Sequence, residues 1–236
     1  MAYFKRILIL PVGSYEYHGK HLPATMDAII ATRVTVSLAE RVRPTFDGIV
    51  IELPVLNYGL SLEHIGLPST AYVFHTTYYT FVSELLDSIA SDGDLLVVIN
   101  GHGGNINTLS AIEADFNYRH QRSKMFFPQV YSNLVKQMSD QFFGEFDAHA
   151  GSVEASLLAF YQGHPPSEYN VELPKTVRGT FRFLRTVEMS PHAIIKQLPT
   201  VIADPARGER LHNAIADDAA ESVIRLASEL GDFLTE

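Results

Sequence analysis

The sequence predicts an α/β fold built on a mainly parallel sheet with helices on both faces. Apolar runs rich in β-branched residues alternate with helix-periodic segments from the start to about residue 160, the order of right-handed βαβ units. The runs Ile7–Val12 and Leu95–Ile99 are continuously apolar rather than alternating, as strands covered on both faces are. Polar and glycine-rich motifs follow both runs, and ligands of parallel sheets collect beyond the carboxyl ends of the strands.

Ile7–Val12 is the first strand, and the stretch Gly13–Asp27 after it carries Glu16, His18, His21 and Asp27. From Ala28 to about Val42, Ile29, Ile30, Val34, Leu38 and Val42 recur at helical spacing, with Asp27 where an N-cap would stand. Gly48–Leu53 is a second strand, ended by Pro54; residues 54–70 form a long loop of the kind that usually carries function. About Thr77–Ala90 reads as a helix with Phe81, Val82, Leu85, Leu86 and Ile89 on its apolar side. Asp92-Gly93-Asp94 turns the chain into Leu95–Ile99, and Asn100-Gly101-His102-Gly103-Gly104-Asn105 leads into a helix at about Ile106–Tyr118. Lys124–Val130 is a strand interrupted by Pro128, about Asn133–Phe142 is helical, and Asp147–Ser152 opens a helix with Glu154 in its first turn. Residues 163–200, punctuated by Pro165, Pro166, Pro174 and Pro191, show no clear period. Asp204-Pro205 breaks the chain before a last helix at about Glu209–Leu230, striped by Leu211, Ile215, Ala219, Val223, Leu226 and Leu230. No linker, repeat or composition shift marks a boundary, so residues 1–236 are expected to form one domain.

Composition narrows the function. Apolar residues make up 46% and charged residues 19%, enough for a core and too little charge for disorder. With 18 basic and 27 acidic residues the net charge is −9, and no Lys/Arg cluster offers a surface to nucleic acid or an anionic membrane. The chain has no cysteine, which removes disulfides, thiolate zinc sites and a Cys nucleophile. Any metal must then be held by His and carboxylate, which suits zinc, manganese or iron. The N-terminal apolar run is too short for a signal peptide or a membrane span, and a cytoplasmic location is expected.

Three polar constellations stand where such a sheet builds its site. Glu16 and His18 are two apart, so on extended backbone both point to one side. Asp27 joins them, or simply caps the following helix. His102 lies among glycines past the strongest strand; a phosphate cradle is the other reading, but Gly101, Gly103 and Gly104 do not complete Gly-x-Gly-x-x-Gly and no Lys-Ser/Thr follows. Asp147, His149 and Glu154 form an acid/base set, although Glu154 alone could merely favour the positive end of a helix.

Together, Pro11-Val-Gly-Ser-Tyr-Glu16-Tyr-His18-Gly-Lys-His21-Leu-Pro23 with Asp27, Asn100-Gly-His102-Gly-Gly-Asn105, and His149-Ala-Gly-Ser-Val-Glu154 resemble the creatininase family of metal-dependent amidohydrolases. The loop Ser61-Leu-Glu-His64 and the late Asp204-Pro205 extend the match. The resemblance implies a three-layer α/β/α sandwich and two divalent metal ions per chain, zinc first, with manganese or iron as alternatives. It also implies a homo-oligomer, often a hexamer. By position it makes Glu16, His18, Asp27 and His102 metal ligands with Asp27 bridging, and sets His149 beside the reacting group. Ser61, Gly103 and Asp147 are the candidate substrate contacts. Creatininase itself carries a glutamate where Gly104 stands, so either Glu154 fills that place or the second metal is weaker. The absence of Trp, together with Lys20 and Met26 where Pro and Thr are common, argues against creatinine. These departures favour the branch that includes a formamidopyrimidine deformylase and the mycofactocin peptide-processing enzyme.

The expected reaction is hydrolysis of a non-peptide C–N bond, in a cyclic amide or a formamide, by a metal-activated water. His149 protonates the departing nitrogen, Glu154 is a second-metal ligand or the proton carrier, and His21 orients a ligand. Tyr58, Tyr72 and Phe74 wall a pocket or sit in the core. The alternatives are peptide processing of the mycofactocin type, a non-enzymatic nucleotide-binding α/β module, and a metal-stabilised subunit without turnover.

Overall fold

Strand β1 (Arg6–Val12) and strand β3 (Asp94–Asn100) run side by side in the middle of a four-stranded sheet of order β2-β1-β3-β4. The outer strands are β2 (Ile49–Glu52) and β4 (Lys124–Phe126), and every pairing is parallel. The computed structural model describes residues 3–128, 138, 141–144, 147–163, 167–170, 185–190, 194–196, 198 and 200–235.

The period of the strands makes the layers. In β3, Leu95, Val97 and Ile99 pack with Ile7 and Ile9 of β1 into one core, while Leu96 and Val98 pack with Leu10 and Val12 into another. The first core is covered by α1 (Met26–Val42), α4 (Ser152–Gln162) and the long α6 (Pro205–Thr235), through Ile30, Val34, Leu38, Val153, Leu157, Leu211 and Ile215. The second is covered by α2 (His75–Ile89) and α3 (Ile106–Arg119), through Tyr78, Val82, Leu86, Leu109, Ile112 and Phe116. The architecture is therefore α/β/α, with a parallel central sheet buried on both faces, as the continuous apolar runs require.

The expected elements shift mainly at their ends. Helix α1 starts at Met26, so Asp27 lies inside its first turn rather than capping it, and Thr25 at the N-cap makes no side-chain capping bond. Asp204-Pro205 starts α6 rather than breaking the chain before it. Asp204 Oδ1 accepts the N–H groups of Ala206 (2.9 Å) and Arg207 (3.3 Å), and proline fits the first helical position, where its missing N–H costs nothing. Strand β4 ends at Phe126, short of Pro128. The helix expected at about Asn133–Phe142 falls largely outside the described residues.

Within and around the proline-punctuated stretch, the chain forms pieces too short to show a period. Strand β5 (Asp147–His149) pairs antiparallel with β7 (Ile195–Lys196), and β6 (Ser167–Asn170) pairs with β8 (Thr200–Ala203). A one-turn helix, α5, spans Thr186–Met189. Among the described residues no helix is long and apolar enough to cross a membrane.

Candidate metal centre

The register Val12↔Asn100 ends β1 and β3 together, so the two polar motifs leave the sheet side by side. Gly101 N–H donates to the Val12 carbonyl at 2.9 Å and locks the two exits. The first turn of α1 sits directly on this edge: a Cβ at Gly101 would overlap the Asp27 carbonyl oxygen. Only glycine permits that approach, and it sets the Asp27 side chain between the segments bearing Glu16 and His102. Strand β5 and the first turn of α4 bring His149 and Glu154 from one side. A short helical turn at Leu62–His64 brings Ser61 and His64 from the other.

Glu16, His18, Asp27, His102, His149 and Glu154 are all buried. Their donor atoms form overlapping sets, each within 4.8 Å: Glu16, Asp27 and His102; His18, Asp27 and Glu154; and Glu16, His18 and His149. Asp27 divides its oxygens between the first two. Its Oδ2 lies 3.2 Å from His102 Nδ1, and its Oδ1 lies 3.3 Å from His18 Nε2. Glu16 Oε1 is 3.3 Å from His102 Nδ1, and Glu154 Oε2 is 3.7 Å from His18 Nε2. Ligand atoms around a tetrahedral cation with bonds of about 2.0–2.1 Å stand about 3.3 Å apart, so the spacing suits a shared central ion. Glu16 Oε1, His18 Nε2 and Asp27 Oδ2 are buried and make no hydrogen bond. Leaving such atoms unsatisfied is costly, and a divalent cation in each of the first two sets would satisfy all three.

The surrounding bonds aim these atoms. His18 Nδ1–H donates to its neighbour Glu16 O at 3.0 Å, and His102 Nε2–H donates to Leu60 O at 3.1 Å. In its neutral form each imidazole thus turns its unprotonated nitrogen inward, as metal-holding histidines do. Ser61 Oγ donates to Glu16 Oε2 at 2.6 Å and is itself bonded to Ser14, which leaves Oε1 pointing into the cluster. His149 Nε2–H donates to Tyr17 O at 3.0 Å, so Nδ1 faces Glu16 Oε1 at 3.6 Å. Glu154 Oε2 accepts the Ala150 N–H at 2.8 Å.

Charge follows from this packing. Burial pushes the Glu16 carboxyl up, but the nearby imidazole of His102, joined by that of His64, outweighs it and holds Glu16 well below the usual carboxylate range. For Glu154, burial again pushes up, and His18, His149 and the Ala150 N–H bring it below its ordinary value. Burial alone would lower His18 and His102, but their carboxylate neighbours raise both well above 6.5 in the absence of metal. His149 goes the other way: burial and the nearby His18 and His64 lower it to about 4, so it is neutral near pH 7 with a free Nδ1 lone pair.

The remaining candidates take varied places. Ser61 is fully buried behind Glu16, and Gly103 is exposed in the turn before α3 with open space beside it. Asp147 faces the start of α4, where Oδ2 accepts the Val153 N–H at 3.0 Å. A Cβ at Gly104 would overlap the Leu60 carbonyl and stand 2.5 Å from His102 Nε2, so no carboxylate can project from this position without rearrangement. Glu154 reaches the cluster from α4 instead. Tyr58, Tyr72 and Phe74 are exposed, at 61%, 41% and 61%, which rules out the core reading for them.

Sequence reasoning gave no role to His64, Asn100 or Asn105. His64 Nε2 lies 3.4 Å from Glu16 Oε1, with its ring 4.4 Å from that of His149. Asn105 joins three segments: its Nδ2 donates to Gly13 O and Asn100 Oδ1, both at 3.1 Å, and its Oδ1 accepts Leu60 N–H at 3.0 Å. The signal for both was position, a His in the long loop after β2 and an Asn at a helix start. The glycine loop, meanwhile, faces carboxylates, which opposes a phosphate there.

The creatininase family profile, described as creatinine amidohydrolase, matches residues 2–223. A mycofactocin precursor peptide peptidase of Mycolicibacterium smegmatis is 28% identical over 240 residues, covering 97% of this chain and 89% of that protein. The 2-amino-5-formylamino-6-ribosylaminopyrimidin-4(3H)-one 5'-monophosphate deformylase of Methanothermobacter thermautotrophicus is 27% identical over 241 residues, covering 98% and 92%. Among solved structures, a creatininase in a manganese form superposes with a TM-score of 0.68 at 18% identity, over 92% of this chain and 89% of that one. The chain belongs to the creatininase family of amidohydrolases.

Proposed function

We propose that the protein is a dinuclear metallohydrolase that cleaves a C–N bond of a small amide, a cyclic amide or a formamide. The observation that carries this reading is the division of the Asp27 carboxylate between two buried donor sets, with three donor atoms that make no hydrogen bond. Glu16, Asp27 and His102 would hold one divalent ion, and His18, Asp27 and Glu154 the other. Zinc is the first candidate, with manganese or iron as alternatives. Bound there, such ions supply Lewis acidity and a water of lowered pKa.

The chain's own residues do the rest. His149 is held by its Nε2–H on Tyr17 O, so Nδ1 is the atom that takes a proton and passes it to the departing nitrogen. Ser61 steadies Glu16, and Glu154 acts as a ligand, since its Oε2 is fixed by Ala150 and aimed at His18. Gly103 leaves open space beside His102 for substrate to enter. Asp147 contributes to substrate binding indirectly, by fixing the start of α4. The absence of a linker or composition shift supports one domain over residues 1–236, the composition is compatible with a cytoplasmic location, and the family resemblance adds a homo-oligomer, a hexamer by analogy.

A second reading is peptide processing. It is favoured by the similarity to a peptide peptidase over nearly the whole chain and by the exposed Tyr58, Tyr72 and Phe74, which could accompany a longer substrate. A hydrolysis screen of zinc- and manganese-loaded protein against formamides, lactams, creatinine and short peptides separates the two. Turnover of formamides or lactams is the expected result. Turnover confined to peptides would move the assignment to the second reading, and none with any amide would overturn both.

A further inference from the structure

Two segments contribute to the candidate centre from distant parts of the chain: residues 13–25, with Glu16 and His18, and residues 147–151, which run from β5 towards Glu154. A reciprocal pair of imidazole bonds ties them together. His149 of the second segment donates to Tyr17 O, and His21 of the first segment donates through Nε2 to Ala150 O, each at 3.0 Å. A carbonyl can only accept, so the His21 bond fixes its tautomer. Leu22, Ala150 and Ala155 pack together beside this junction.

Ala150 is the unusual element. Its φ is +54°, in the left-handed region that side-chain-bearing residues seldom occupy, and it is fully buried. Such a backbone persists only where its surroundings hold it. Here both polar groups of the residue are engaged: the carbonyl takes His21, and the N–H donates to Glu154 Oε2 at 2.8 Å. That oxygen is the one in the donor set with His18 and Asp27. The chain of contact therefore runs from His21 through one residue held in the left-handed region to a single carboxylate oxygen.

We propose that His21 is a positioning residue for Glu154, acting through the left-handed backbone of Ala150 to hold the ion position formed by His18, Asp27 and Glu154. This rests on the dinuclear reading above. The other position, formed by Glu16, Asp27 and His102, has supports from Ser61 and Leu60 that do not involve His21. Loss of His21 should weaken one ion and spare the other.

The test is equilibrium dialysis of the full chain against manganese, with melting of the metal-free protein as the control for folding. His21→Ala should weaken one class of ion by about 10–100-fold, the usual effect of losing a support behind a ligand, and leave the other unchanged. Glu154→Ala should remove the same class, and adding His21→Ala to it should change nothing further. His21→Gln, which can donate to the same carbonyl, should recover most of the affinity; it also carries the test if the alanine variant does not fold. Two unchanged affinities in His21→Ala would overturn the proposal. So would equal weakening of both ions alongside a lower metal-free melting temperature, which marks a general structural role. A wild-type protein that binds no ion would instead defeat the dinuclear reading itself.

Discussion

Replacing Asp27 with alanine removes the one side chain that both ion positions share, at the cost of a short buried carboxylate and no apolar surface. An ion that binds only the folded state stabilises it by about 2.7 kcal/mol at a hundred times its dissociation constant, so two such ions contribute about 5 kcal/mol. For a chain of this size each kcal/mol moves the melting temperature by about 2–4 °C, which gives a metal-induced rise of about 10–20 °C in the wild type. Asp27→Ala should lose most of that rise and all turnover. Its metal-free form should melt within a few degrees of the metal-free wild type, because the cores on either side of the sheet do not include Asp27. Scanning calorimetry of both proteins, with chelator and with saturating manganese, reads each quantity. A variant that keeps the wild-type rise would refute the bridging role. A variant that fails to fold at all would shift the centre from catalysis to structural support.

Three further outcomes follow from the same geometry. His18 and His102 are raised above 6.5 in the metal-free fold because carboxylates outweigh burial, so their stabilisation is complete below about pH 6.5 and is lost as pH rises through the folded values. Urea midpoints of chelated protein should therefore fall above pH 6.5, while manganese affinity rises as the ions displace those protons; a chelated midpoint that climbs there contradicts the assignment. Ser61→Ala removes a hydrogen bond to a charged group, worth about 1.5–3 kcal/mol, and should weaken the ion held by Glu16, Asp27 and His102 by about tenfold or more in a dialysis measurement. Gly101→Ala drives a methyl group into the Asp27 carbonyl and should displace the first turn of α1. It should cost metal binding more than it changes far-ultraviolet circular dichroism, and normal manganese stoichiometry would argue against the close approach.

Much of this site was legible because it sits on the most regular part of the chain. The apolar runs in β1 and β3 located the sheet, and the parallel rule then directed attention to Glu16, His18 and His102 just beyond them. Asp27 was harder, because an acidic residue near a helix start is an ordinary cap; only the true start at Met26 and the glycine beside it explain its inward turn. The family resemblance set Ser61 as a substrate contact, while its bond to the buried Glu16, 45 residues away in the sequence, has no trace in the local pattern. His64 and Asn105 act through similarly distant partners. The positive φ of Ala150 leaves no compositional trace, since glycine is the residue that announces such backbone. The strands β5 to β8 and the start of α6 escaped because short pieces carry no period and because proline both ends and begins helices.

The central claim is that two buried donor sets sharing Asp27 hold two divalent ions. Elemental analysis of the protein after dialysis against zinc or manganese tests it most directly. Two ions per chain in the wild type, falling to one or none in Asp27→Ala, is the predicted result. No bound ion in the wild type, or an unchanged count in the variant, would contradict it.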